Sequence, residues 1–364
     1  MKISHIQLFW TIAIMELGMT LLMTITDSLQ AAKQDAWISM ALAGGISLLV
    51  AFISTRLALL YPEQTLVEAS ETILGSALGK LVVIVYLVQW YTIIPIVLRQ
   101  FTDLIESMFL QTTPRFPIIG IMIALMIYAI YAGKLQGIGR LSEILGPIIF
   151  LMVFVVLIAN VGTVHYRNLL PVLKEQTFKE VFSGSLAPAS YLGHSVEVIM
   201  LVPFLTDARR GMKYVMFGVL LSSIILFWAS VMILLTINPH LAAHMWYPFF
   251  EMTKKIQIGF VENWDVLAVV IWISSVFIKL TVYMFIASYG TAQFLRIDNW
   301  KVLVWILAPI FIAFAIYPES VVESTNHYLK NYWIPFVLPV NMIGLPLLLW
   351  IVGSIRKKWR PTIG

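Results

Sequence analysis

The chain has 364 residues, of which 60% are hydrophobic and only 12% charged, with a formal net charge of +5 and a mean hydropathy of +0.89. That composition excludes an ordinary soluble domain, and so small a positive charge needs no nucleic acid to account for it. The absence of cysteine excludes disulfides and thiolate metal sites.

A helical bilayer span takes about 20 predominantly apolar residues, and ten such runs follow one another. They are Ile6 to Leu29, Ala36 to Ala58, Leu81 to Leu110, Pro117 to Ala132, Leu141 to Val164, Phe182 to Leu205, Tyr214 to Ile237, Val266 to Phe294, Val302 to Tyr317 and Trp333 to Val352. The runs are continuous rather than alternating, which argues against a membrane barrel. The expected class is therefore an all-α integral membrane protein with ten transmembrane helices in a single domain over 1–364. The first run is longer than a signal-peptide core and lacks a small-residue cleavage site, so it is expected to stay in the mature protein. With ten spans, the loops on the side of the termini hold fourteen lysines and arginines and the opposite loops eight, which predicts both termini cytoplasmic. The tail RKKWR then lies among anionic headgroups of the lipid bilayer. The long loop from Asn238 to Asp265 contains Phe249, Met252 and Ile256 at helical spacing, as a short helix lying over the surface requires.

Two halves of five spans, 1–164 and 165–364, are suggested by a shared feature. Span one carries Glu16-Leu17-Gly18 and span six carries Tyr191-Leu192-Gly193-His194, followed by Glu197. Five spans per half invert the second half relative to the first, and glycines beside ionisable groups at membrane depth suit broken helices that line a cavity. In span eight, Ser275, Lys279 and Tyr283 are spaced i, i+4, i+8 and drift by only about 80° around the axis, so they form one polar stripe. A charge at the bilayer centre costs about 2.5 kcal/mol or more, so the stripe faces the bundle interior. Lys279 is either a fixed cation at a ligand or ion site, half of a structural pair, or a snorkelling side chain. Its candidate partners are Glu16 and Glu197, carboxylates suited also to proton coupling. His194 reads as a hydrogen-bonded structural histidine or a group titrating near neutral pH. In span three Arg99, Asp103 and Glu106 share one face, as an internal Arg99–Asp103 pair or an outer gate. No catalytic motif, metal site or cofactor site is expected.

The segments KISHIQLFW, YPEQTLVEASETILGSALGK, LRQFTDLIESMFLQTTP, GIGRLSEILGPI and NLLPVL together resemble the B subunit of endospore germinant receptors, over essentially the whole chain. That family resembles the amino acid, polyamine and organocation transporter superfamily. The resemblance implies a five-plus-five inverted repeat with broken helices one and six. It further implies a nutrient sensor in the inner membrane of dormant spores, working beside a larger A subunit and a lipoprotein C subunit. It places the span-three wall of a ligand pocket at Tyr91, Ile94 and Pro95, closed by Gly18, Leu192, Gly193, Lys279 and Tyr283. Backbone freed at the breaks then holds the polar ends of a small zwitterion. A proton-coupled amino acid transporter is the alternative function.

Overall fold

The computed structural model describes residues 1–256, 264–318, 320 and 322–359. The expected spans appear as α1 (His5–Met23), α2 (Ile25–Ala32), α3 (Ala36–Leu60), the short α4 (Leu66–Leu74), α5 (Ser76–Met108), α6 (Arg115–Ala159), α7 (Phe178–Leu192) with α8 (Val198–Leu201), and α9 (Ala208–Thr236). Next come two short helices, α10 (Pro239–Ala242) and α11 (Pro248–Thr253), then α12 (Asp265–Leu295), α13 (Trp300–Ile316), a π-helical stretch Leu329–Gly344, and α14 (Leu345–Trp359). Among the described residues the one β feature is an isolated bridge between Ile3 and Leu205. It pins the N-terminal strand of chain to the end of the sixth run, where Lys2 Nζ also donates to the carbonyl of Pro203 at 3.2 Å.

Eight helical stretches of the described residues are long and apolar enough to cross a membrane, and Trp300–Ile316 is a shorter apolar helix. The 45-residue α6 would be roughly 68 Å long at 1.5 Å per residue, twice a hydrocarbon core. It is in fact two helices joined at Lys134, whose φ of 51° and ψ of −153° are not helical. Of the expected surface helix, Phe249 and Met252 are buried on α11 and Ile256 is buried just beyond it, whereas 257–260 lie outside the described residues. The same holds for Arg360 of the basic tail.

The sixth run breaks where expected: α7 ends at Leu192 and a 3₁₀ segment, Gly193–Glu197, leads into α8. The first run is interrupted too, but at Thr24 rather than at Gly18. Helix α1 continues through Gly18, because that glycine serves close approach instead: a Cβ there would collide with Ser275 of α12. The bend falls further on, where the hydroxyls of Thr20 and Thr24 donate back to the carbonyls of Glu16 (2.5 Å) and Thr20 (2.8 Å). Such i−4 back-bonding weakens and bends a helix.

The most extensive helix contacts are α1 on α9 and α3 on both α7 and α9, with α12 packed on α1, α5 and α6. At the α1–α9 crossing, Ser222 Oγ donates to the carbonyl of Ala13 at 2.9 Å, and a Cβ on Gly218 would stand 2.9 Å from the carbonyl oxygen of Phe9. Backbones approach closely there because small residues line the contact, as membrane helix packing favours. Gly218→Val is therefore expected to lower both membrane abundance and melting temperature in detergent, whereas Gly45→Val, which meets open space, changes neither. Equal behaviour of the two variants in thermal melts would contradict this packing.

Candidate functional site

Helix α12 delivers the Ser275, Lys279, Tyr283 stripe to the interior, and all three residues are only 1% exposed. The Ser275 hydroxyl is satisfied within its own helix, donating to the carbonyl of Ile271 at 2.6 Å. Lys279 has no such outlet. Its Nζ makes no hydrogen bond and stands 5.2 Å from the centroid of the Tyr191 ring, within cation–π range. Glu16 acts on it electrostatically, yet the two close no ion pair within 4.0 Å. Ser195, on the 3₁₀ segment, lies against the Glu16 carboxylate without forming a well-made hydrogen bond. Both Glu16 oxygens, Lys279 Nζ, Ser195 Oγ and His194 Nε2 are thus buried polar atoms without partners. An unpartnered buried polar atom costs about 1–3 kcal/mol, so their gathering at the helix break marks a place built for polar contact.

Glu197 is treated differently. Gln89 Nε2 donates to its Oε1 at 3.1 Å and Trp90 Nε1 to its Oε2 at 2.9 Å. Asn341 Nδ2 in turn donates to Gln89 Oε1 at 2.7 Å, and the Tyr86 hydroxyl to the Asn341 carbonyl at 2.6 Å. The Tyr283 hydroxyl bonds His194 Nδ1 and also adjoins Glu197. Of the two carboxylates expected to answer Lys279, Glu16 faces it, while Glu197 is held by α5 and, through Tyr283, by α12.

Gly193 is occluded by the Met342 sulfur, and Ile94 and Leu192 are fully buried, the Leu192 carbonyl accepting from Ser47 Oγ at 3.1 Å. Tyr91 does not join this cluster. Its hydroxyl shares a 2.5 Å hydrogen bond with Thr291, and its ring lies 6.0 Å from Phe311 of α13. With Pro95, Tyr317 and Tyr328 it lines a separate groove of about 410 Å³. Arg99 and Asp103 form a buried ion pair at 2.7 Å, and Arg99 also donates to the carbonyls of Ile316, at the end of α13, and of Pro318 just beyond it. Glu106, on the same face by spacing, pairs instead with Arg115 at 3.0 Å. Among the described residues no group of three acidic or histidine side chains is placed to hold a metal ion.

Gln89, Trp90, Ser195 and Asn341 are not singled out by the sequence, and Tyr191 enters there only as a neighbour of Gly193. A signal exists for some: Tyr86, Gln89 and Trp90 are spaced i, i+3, i+4 in an otherwise apolar run and so share one helix face. Asn341 carries no such signal, because only the packing of the π-helical stretch brings it to Gln89.

The chain matches the family described as spore germination protein over residues 2–323, and it belongs to that family. Spore germination protein KB of Bacillus subtilis (strain 168) is 26% identical over 365 residues, covering 99% of this chain and 96% of that protein. Among solved structures, Mhp1, a nucleobase-cation-symport-1 family transporter with bromovinylhydantoin bound, superposes with a TM-score of 0.60 at 12% identity, covering 97% of this chain and 90% of that one. MhsT in complex with L-phenylalanine also gives 0.60, at 10% identity, covering 99% and 90%. The fold is that of these membrane transporters.

The Arg99–Asp103 pair supplies a test of the site's frame. Removing one partner of a buried pair costs about 3–5 kcal/mol, because the other charge is stranded. Arg99→Met should accordingly deplete the protein from membranes, and Arg99→Met with Asp103→Leu should recover much of it. Quantitative immunoblotting of membranes decides, and no recovery in the double variant would show that Arg99 acts mainly through its carbonyl contacts.

Proposed function

We propose that this protein is the nutrient-sensing membrane subunit of a spore germinant receptor, binding a small zwitterion such as an amino acid at the membrane midplane and thereby triggering germination. The observation that carries this reading is the buried, unpartnered Lys279 ammonium facing Glu16 beside the break at Gly193. A fixed cation recruits a carboxylate, an opposing carboxylate recruits an ammonium, and apolar Ile94 and Leu192 beside them sort side chains by size. Gly18 sets the distance between α1 and α12 across the site. Tyr283 ties Lys279's helix to His194 and Glu197, so ligand contact at the stripe is passed to the network on α5. Tyr91, on the far side of α5, belongs to the wall rather than to the contact surface. The Arg99–Asp103 pair and its carbonyl partners form an outer gate above the site.

The same reading takes the eight long stretches, the α6 elbow and α13 as ten crossings with both termini cytoplasmic, in the inner membrane of the endospore. It takes 1–164 and 165–364 as two inverted repeats. The packing supports that symmetry: α1 lies on α9 while α3 lies on α7, so exchanging the halves maps one contact onto the other. The role is binding and conformational response rather than catalysis, exercised in complex with a germinant receptor A subunit and a lipoprotein C subunit. Family membership over 2–323 and the likeness to protein KB support the receptor reading. A second reading, a proton-coupled amino acid transporter, draws on the likeness to Mhp1 and MhsT and on the buried carboxylates, but fold alone does not choose a function.

Lys279→Met keeps much of the side-chain volume and removes the charge. A lost charge-assisted hydrogen bond of about 1.5–3 kcal/mol raises the half-maximal nutrient concentration for germination by about ten- to hundredfold. Tyr283→Phe, which removes one hydroxyl, should shift it less. Protein level and germination dose response are measured together: an unshifted response of Lys279→Met at normal abundance would contradict the ligand-site assignment, and loss of the protein would assign Lys279 to a structural pair.

A further inference from the structure

The midplane site is closed in this structure, and a more open polar space lies at the far end of α1. A cavity of about 190 Å³ is bounded there by residues including Met23, Asp27, Gln30, His244, Trp246 and Asn326. Its cover is the loop between α10 and α11, tied down by hydrogen bonds from the opposite wall. The Thr26 hydroxyl donates to the carbonyls of Met245 (3.0 Å) and Trp246 (3.3 Å), and Gln30 Nε2 to that of Ala243 (3.1 Å). Asp27 and Gln30 also line a second cavity, of about 400 Å³, whose far wall carries Ser183, Leu186 and Lys330.

Asp27 and Lys330 are close enough to act on each other electrostatically, yet no ion pair within 4.0 Å joins them. Both line the second cavity, and opposite charges held apart there complement a molecule carrying both charges, its ammonium toward Asp27 and its carboxylate toward Lys330. The volume next to Asp27 suits a small molecule, and Trp246 lines it as well. The cavity is linked to the centre as well. Thr325 lines it; Gln100 Nε2 donates both to the Thr325 hydroxyl (3.3 Å) and to the Tyr191 hydroxyl (3.2 Å); and the Tyr191 ring lies beneath Lys279.

From these observations we infer that the Asp27–Lys330 space is a second, outer binding site for small zwitterionic amino acids, occupied before the midplane site and separate from it. The inference rests on the amino acid reading of the central site for its ligand class but not on the role of Lys279. Occupancy beneath the α10–α11 loop bears on Thr325 and Gln100 and hence on Tyr191, the side chain that faces the central cation.

The chain has no cysteine and His244 is exposed at the cavity mouth, so His244→Cys gives the full-length protein in nanodiscs a single reporter thiol. Its rate of alkylation by a hydrophilic maleimide is followed against glycine, L-alanine, L-serine, ethylamine and propionate. At least one amino acid should slow alkylation saturably, while ethylamine and propionate should need at least about tenfold higher concentration, a difference of 1.4 kcal/mol. Asp27→Asn and Lys330→Gln, each added to the reporter, should weaken protection about tenfold or more, and Gly45→Val, which meets open space, should leave it unchanged. Protection that survives both Asp27→Asn and Lys330→Gln, or that is absent with every amino acid, overturns the inference. Because the reporter reads the outer site alone, an unshifted germination response of Lys279→Met would refute the central assignment and leave this one standing.

Discussion

A bilayer core supplies no water to a buried polar group, and this protein buries Lys279 and Glu16 within its helical bundle with no ion pair between them. Lys279 and Glu16 act on each other electrostatically close to Gly18, where a Cβ would collide with Ser275 of α12. Everything around them adjusts to that arrangement. The 3₁₀ segment at Gly193–Glu197 brings His194 and Ser195 to the charges. The Glu197 carboxylate, from the same segment, is turned away and held by Gln89 and Trp90. A direct Lys279–Glu16 ion pair would satisfy both groups and fix the helices. On the proposed function, holding the two apart leaves both groups free to meet a polar ligand.

Much of the architecture was legible because the bilayer imposes a length and a polarity on every span. Span positions, the break at Gly193, the interior direction of Ser275, Lys279 and Tyr283, and the Arg99–Asp103 pair all follow from local spacing along a helix. The position of the first break did not follow, since a glycine in a membrane helix serves either unwinding or close packing. Gly18 does the second, and only the proximity of α12 distinguishes the two. Tyr91 and Ile94 illustrate the same boundary. They sit three residues apart on α5, but Ile94 is buried in the bundle while Tyr91 turns toward α13. The Glu197 network, joining Gln89 of α5 to Asn341 near the far end of the chain, is a product of packing between distant segments.

A transporter and a receptor on one scaffold differ in what ligand binding drives. In either, a ligand shifts a conformational equilibrium only by its difference in affinity for the two states. A transporter must open alternately to both sides, whereas a receptor needs only one change that a partner subunit reads. The chain ends at Ile3 and Lys357 are both fastened to neighbouring segments, through Phe204 and Leu60, at the end of the bundle opposite Asp27 and His244.

The most direct test of this account is equilibrium binding and uptake measured together on the purified protein in sealed liposomes, with a panel of labelled L-amino acids and an imposed proton gradient. The account predicts saturable binding of at least one amino acid with no accumulation inside the liposomes. Concentrative uptake driven by the gradient would contradict it in favour of a transporter, and absence of binding by every amino acid would contradict the ligand class.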